Sequence, residues 1–278
     1  MPAPQASIMS QLARLKFTSF ALKVPQNWSD PQGDPAGQQY KNAFKDSEKS
    51  AVPGSPPLFQ PATMNKYHVD SQKMHIAKIG KFIDDTMSAI ANAWSQWQAL
   101  ASMVGITIVG PSAIGGQIVA PPFTIIGPAS TPAEAKYSKV IAGVIGPAWD
   151  AFTKTVTSPG LPWYPMFAAA TAPVAIPAMN VSGPPAMFAA LTQIPTTITM
   201  AVMKPQMIAQ LGDPQAPFHK ELFESICDAF EKTYTQWKVT TMVTKAIGTG
   251  PVPSMALPVP VPGPVAGGIA TMPPGGFA

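Results

Sequence analysis

The 278-residue chain is short of charge: ionised side chains make up 12% of it, about half the ~25% of ordinary soluble domains, and its 34 prolines exceed twice the usual ~5% share. With 46% hydrophobic residues it lacks the low hydrophobicity of an intrinsically disordered chain. A net charge of +4 without a Lys/Arg cluster gives no footing for nucleic-acid binding, and one cysteine, Cys227, excludes an internal disulfide or a thiolate zinc site.

The charge that is present is segregated. Residues 86–218 hold four basic and three acidic groups, and no charged side chain follows Lys245. A monomer of this size covers itself with Lys and Glu, so the shortage implies that other protein covers much of the surface. No unbroken apolar run reaches the roughly 20 residues of a membrane-spanning helix. The best, Ala99 to Gly110, falls short. The opening MPAPQASIMSQLARLKF holds no apolar signal core, so the chain is expected to be made in the cytoplasm without a secretory signal.

Residues 1–70 are punctuated by proline from Pro2 to Pro61 and are expected to form an extended arm. Its frequent aromatic residues, Phe17 to Tyr67, suit a segment laid on another surface. A first helix is predicted over 71–104, where Ile76, Ile79, Phe82, Ile83, Met87, Ile90, Trp94 and Trp97 form one apolar stripe ended by Gly105. Short strands are expected at Ile106–Gly110, Gln117–Ala120 and Phe123–Gly127, between glycines and prolines.

A second helix, kinked at Gly143, Gly146 and Pro147, is predicted over Tyr137–Thr157, with a Pro-rich apolar stretch, Leu161–Pro185, after it. A third runs over 218–245, its stripe made of Leu222, Phe223, Ile226, Phe230, Tyr234 and Trp237. The tail 246–278 is uncharged, and its alternating prolines suit an extended edge segment packed against the chain's own helices or a neighbour.

These helices resemble one another. A shift of 140 places Trp94 on Tyr234, Trp97 on Trp237 and Gly110-Pro111 on Gly250-Pro251, and a shift of 55 places Trp94 on Trp149 and Trp97 on Phe152. The expectation is an α+β fold of two or three helix-plus-strand repeats, arranged with pseudo-threefold symmetry if all three hold. The units are 71–136, 137–217 and 218–278 behind the arm 1–70. Trp94, Trp97, Trp149, Phe152, Tyr234 and Trp237 become the candidate packing and assembly residues, with Trp97 and Trp237 each covering the start of its own Gly-Pro segment.

Chemistry is sparse. His68, His75 and His219 stand apart from acidic pairs, and the latter two are expected to be solvated or capping groups near helix starts. Asp84 and Asp85 are helix neighbours pointing about 100° apart. Glu221, Glu224, Asp228 and Glu231 recur as the wet side of the third helix. Cys227 falls within the helical pattern as a small buried hydrophobe. Gly110–Gly116 has a phosphate loop's glycines without its Lys-Ser/Thr. No catalytic residue, metal site or cofactor is expected.

The closing stretch, with Gly248-Thr-Gly-Pro-Val-Pro, Val259-Pro-Val-Pro-Gly-Pro-Val-Ala-Gly-Gly and Met272-Pro-Pro-Gly-Gly-Phe, resembles the Pro/Gly-rich ends of phage-tail and contractile-injection-system structural proteins. That resemblance covers about the last 60 residues and implies a virion or injection-particle component with no active-site residues to transfer. Pro-Ala-Ala-Arg repeats of the spike-tip family are missing, so that family's metal site is not carried over. The expected function is a non-catalytic subunit that packs against other structural subunits or copies of itself. The alternative is a membrane-interacting or secreted effector with amphipathic helices, but Lys73, Lys78 and Lys81 occupy only the first third of helix 71–104, unlike an interfacial helix's basic face.

Overall fold

The computed structural model describes residues 2–22, 66–110, 112–162, 165–167, 174–177, 196–241, 243, 245, 247–251 and 265–277. They form a mixed α+β protein in which helices pack as a bundle and two of them run directly into an antiparallel sheet.

The first helix, α1 (Ala6–Ser19), occupies part of the span expected to be an extended arm. Met9, Ala13 and Phe17 recur every fourth residue, form one stripe, and are buried against the helices described next. The proline-rich remainder, 23–65, lies outside the described residues.

α2 (Lys66–Leu100) is 35 residues and about 52 Å long, beginning before and ending before the predicted bounds. Gly105 does not end it; that glycine lies within the following strand. α3 (Pro132–Thr155) begins at a capping box: Thr131 Oγ1 accepts from the Glu134 amide while the Glu134 carboxylate accepts from the Thr131 amide, both at 3.1 Å. Its helical assignment continues through Pro147.

A fourth helix, α4 (Met200–Leu211), was not anticipated; Pro205 masked its pattern, yet Met203, Met207 and Leu211 face the core. α5 (His219–Thr240) matches the third predicted helix. α1 packs on α2 and α5, while α4 packs on α3 and α5.

The strands are β1 (Ser102–Gly110), β2 (Ser112–Val119), β3 (Ser158–Pro162), β4 (Pro165–Phe167), β5 (Val174–Pro177), β6 (Ile247–Pro251) and β7 (Val265–Met272). Residues 120–129, where a strand was expected at Phe123–Gly127, have no regular structure. Sheet order is β3-β2-β1-β7-β6-β5-β4, antiparallel throughout. Pro159, Pro162 and Pro165 sit on the two terminal strands, which each have a free side and tolerate a missing amide hydrogen.

These terminal strands are consecutive in the chain. Pro162 and Pro165 are three residues apart, so their Cα atoms are at most about 11 Å apart. Seven strands laid flat would set the first and last about 29 Å apart. The sheet therefore curls back on itself. The pairs β1·β2, β2·β3, β4·β5, β5·β6 and β6·β7 join strands consecutive in the chain, while β1·β7 joins strands far apart in sequence.

Gly105, at φ +69°, marks a bulge: between the pairs Met103–Met272 and Ile106–Ala270, two β1 residues oppose one of β7. The extra residue puts Met103 and Ile106 on one buried face although they are three apart. The uncharged tail supplies β6 and β7, and β7 lies between β1 and β6. The Pro-alternating part from Val252 to Val261 lies outside the described residues.

Candidate functional site

The six aromatic residues singled out from the sequence meet in one cluster. Trp94 and Trp97 on α2, Trp149 and Phe152 on α3, and Tyr234 and Trp237 on α5 are all buried. Trp149 is the hub, with ring centroids 4.5 Å from Trp94, 5.0 Å from Trp97, 5.7 Å from Trp237 and 5.3 Å from Phe152. Most pairs are steep to one another, which sets ring edges against ring faces as the aromatic quadrupole favours. Phe123 stacks on Trp149 from the loop after β2, its amide donating to Asp150 Oδ1 at 3.1 Å.

Each helix presents its pair at the same distance from its end. Trp97, Phe152 and Trp237 all stand three residues before the last helical residue, Leu100, Thr155 and Thr240. The next residue is fully buried in each case: Ala101, Val156 and Thr241. Under the shift of 55, buried Ala93, Trp94, Trp97 and Gln98 fall on buried Ala148, Trp149, Phe152 and Thr153. Under the shift of 140, the first three fall on buried Thr233, Tyr234 and Trp237, and Gln98 falls on half-buried Lys238.

Two expectations need correction. Residues without exposed surface cannot touch another chain, so these six pack their own chain and are not assembly contacts. Nor do Trp97 and Trp237 each cover a Gly-Pro segment. They face each other at 6.1 Å, and Gly110 ends a nine-residue strand reaching about 27 Å beyond Ser102.

The acidic residues of α5 are not simply its wet side. Glu224 accepts from Lys204 Nζ of α4 at 2.5 Å and pairs with Lys16 Nζ of α1 at 2.9 Å. Lys204 and then Lys16 hold its carboxyl below the usual carboxylate range. Glu231 accepts from the Met200 amide at the start of α4, at 2.7 Å. Asp84 likewise takes the Arg14 guanidinium on both oxygens, tying α1 to α2, while Asp85 pairs with Lys81. Asp84, Glu224 and Glu231 thus clamp helices together, while Asp85 and Asp228 pair with lysines of their own helices.

His219 is buried rather than solvated, its Nδ1 2.5 Å from the Ala216 carbonyl oxygen. His68 and His75 have no described side-chain environment. Cys227 is fully buried, with Sγ 3.7 Å from Met207 Sδ, and burial pushes its thiol pKa up to about 12. Such a thiol is no nucleophile at neutral pH. Gly110–Gly116 lies in the β1–β2 hairpin and opens no helix.

A cleft of about 470 Å³ opens beside the bundle, floored by Phe17, Ile79, Phe82, Tyr137, Phe218 and Leu222. Its rim charges serve structure: Lys136 pairs with Asp213 at 3.6 Å, and Glu134 closes the α3 capping box. Burial and then Asp213 raise the Tyr137 pKa. Among the described residues no group of three His, Cys, Asp or Glu could hold a metal, and no helix is long and apolar enough to cross a membrane.

The surface that stands out is the sheet. Its seven strands contain no Asp, Glu, Lys or Arg, and Val104, Ile114, Val119 and Ile269 are 41–64% exposed. Neither a protein-family model, nor a curated protein, nor a solved structure matches this chain.

Proposed function

We propose that this protein is a non-catalytic structural subunit of a large assembly, of the phage-tail or contractile-injection kind, built from three helix-plus-hairpin units with pseudo-threefold symmetry. The observation that carries this reading is the uncharged sheet with its exposed isoleucines and valines. A patch of this kind on a water-facing monomer favours association, and its natural use is burial against other protein. The buried thiol and the structural employment of the carboxylates favour a packing role over catalysis.

What supports the three-unit reading is the equivalent helix ends and the shared burial pattern. Lipid is the other surface an apolar sheet could meet, but no Lys or Arg flanks these strands from within the sheet to engage headgroups.

The test is fractionation of untreated particles from the producing cell with an antibody to this chain. Co-sedimentation with particles through a density gradient is expected. A free monomer, or flotation with added vesicles, overturns the reading.

A further inference from the structure

The cleft beside the bundle is built from four helices. Phe17 comes from α1, Ile79 and Phe82 from α2, Tyr137 from α3, and Phe218 and Leu222 from the start of α5. Its volume of about 470 Å³ is that of a small-molecule site. Phe82 and Tyr137 form a corner in it, their ring centroids 6.2 Å apart and their planes at 79°.

One wall is held by strain. Phe218 has φ +56°, a left-handed conformation that bulky L-residues avoid. Its neighbours fix it there. His219 Nδ1 donates to the Ala216 carbonyl at 2.5 Å, and the Leu222 amide donates to the Phe218 carbonyl at 3.0 Å. Strained positions of this kind gather at ligand clamps, where the surrounding structure over-determines them.

The rim sets the ligand's charge. Lys136 is paired with Asp213, and the Glu134 carboxylate closes the capping box of α3. Lys78 also lines the cleft, and it forms no ion pair with a described residue. Lys78 and Phe82 are four residues apart on α2, which puts them on one helix face about 6 Å apart along the axis. An apolar floor therefore runs up to one uncommitted ammonium.

We propose that this cleft binds a small amphipathic monoanion, a medium-chain carboxylate whose tail lies on Phe82, Tyr137 and Leu222 and whose head meets Lys78. The cleft is separate from the uncharged sheet, so the inference does not depend on the assembly reading. An organic cation fits less well, because both rim carboxylates are already engaged. A two-chain phospholipid is too large for the volume.

The experiment titrates the purified full chain with decanoate, below its micelle-forming concentration, by isothermal calorimetry. One saturable site is expected. Lys78→Glu should weaken decanoate and tighten decyltrimethylammonium, each about fivefold, the worth of an exposed charge contact. Lys78→Arg should bind as the parent does. Leu222→Trp, which fills the cleft, should abolish binding of both probes while circular dichroism and solution mass stay those of the parent. Ile79→Trp fills the same space from α2 and replaces it if Leu222→Trp does not fold. Absence of saturable binding overturns the inference, as does an unchanged decanoate affinity in Lys78→Glu or in the filled variant. A changed solution mass on filling assigns the cleft to a second copy of the chain and overturns it too. So does displacement of decanoate by phosphatidylglycerol vesicles, which assigns the cleft to a lipid surface.

Discussion

Trp237 donates its indole N–H to Gln98 Oε1 at 2.9 Å, and Gln98 Nε2 donates to the Phe277 carbonyl at 3.1 Å. One buried amide thus ties the end of α5, the end of α2 and the chain's C-terminal segment into a single joint. Gln98→Ala removes both of these hydrogen bonds from a buried site. A buried hydrogen bond is worth about 0.5–1.5 kcal/mol net, so a loss of about 1–3 kcal/mol is expected in urea unfolding. A change below 0.5 kcal/mol, about the scatter of surface substitutions, would show that the joint carries no strain-bearing contact.

Trp149 should be the costliest aromatic residue to truncate, because it touches the ring pairs of both other helices as well as Phe123. Trp149→Ala is expected to lose about 3–5 kcal/mol, and Trp149→Phe distinctly less, measured as equilibrium unfolding. Equal losses for the two variants would mean that volume at the hub is unimportant.

Why the sequence disclosed this hub but misjudged its surroundings has a physical explanation. Spacings of three and four on amphipathic helices are strong local signals, so α2, α3, α5 and the six aromatic positions were legible. Which side of a helix meets water depends on tertiary partners. Glu224 looked solvated because nothing local announces that Lys16 and Lys204 arrive from α1 and α4. Proline hid α4 and the helical part of the arm, since Pro205 and the Pro2–Pro4 context argue against helix locally while Met203, Met207, Met9 and Phe17 are held by burial.

Glu224 makes stability depend on pH. Its folded pKa is depressed, so its contribution is complete above the unfolded value of about 4.3 and is lost as pH falls through the lower folded pKa. Glu224→Gln should cost about 1 kcal/mol near pH 7. The gap in Tm between variant and parent should close in acid. A gap that stays constant with pH would place the cost in packing rather than charge.

Cys227 should be silent in the folded chain. Burial raises its thiol pKa to about 12, so a thiol reagent at neutral pH should modify it only as the chain unfolds, with a rate following denaturant-dependent opening. Because the unfolded thiol ionises near 8.5 while the folded one does not, stability should decline as pH rises above about 8.5. Cys227→Ser should abolish the labelling and flatten that part of the decline. Rapid native-state labelling would show that the α4–α5 seam is open.

The C-terminal segment offers the sharpest test of how the chain is built. The uncharged tail was expected to pack in extended form against the chain's own helices or a neighbour, and its described part packs on its own chain: β7 lies between β1 and β6, Ala270 and Met272 are buried, and Phe277 stacks on Trp97 with centroids 6.0 Å apart. Removing 265–278 would strip the hydrogen-bonding partner from β1 and β6 together and uncover the aromatic cluster from below. The truncated chain is expected to keep helical circular dichroism but lose cooperative unfolding and bind a hydrophobic dye, as loosely packed states do. Phe277→Ala, which leaves β7 in place, should remain cooperative and lose about 3–5 kcal/mol. If the truncated chain unfolds at the parent's Tm, the C-terminal strand is dispensable and the sheet is not what holds the three helix ends together.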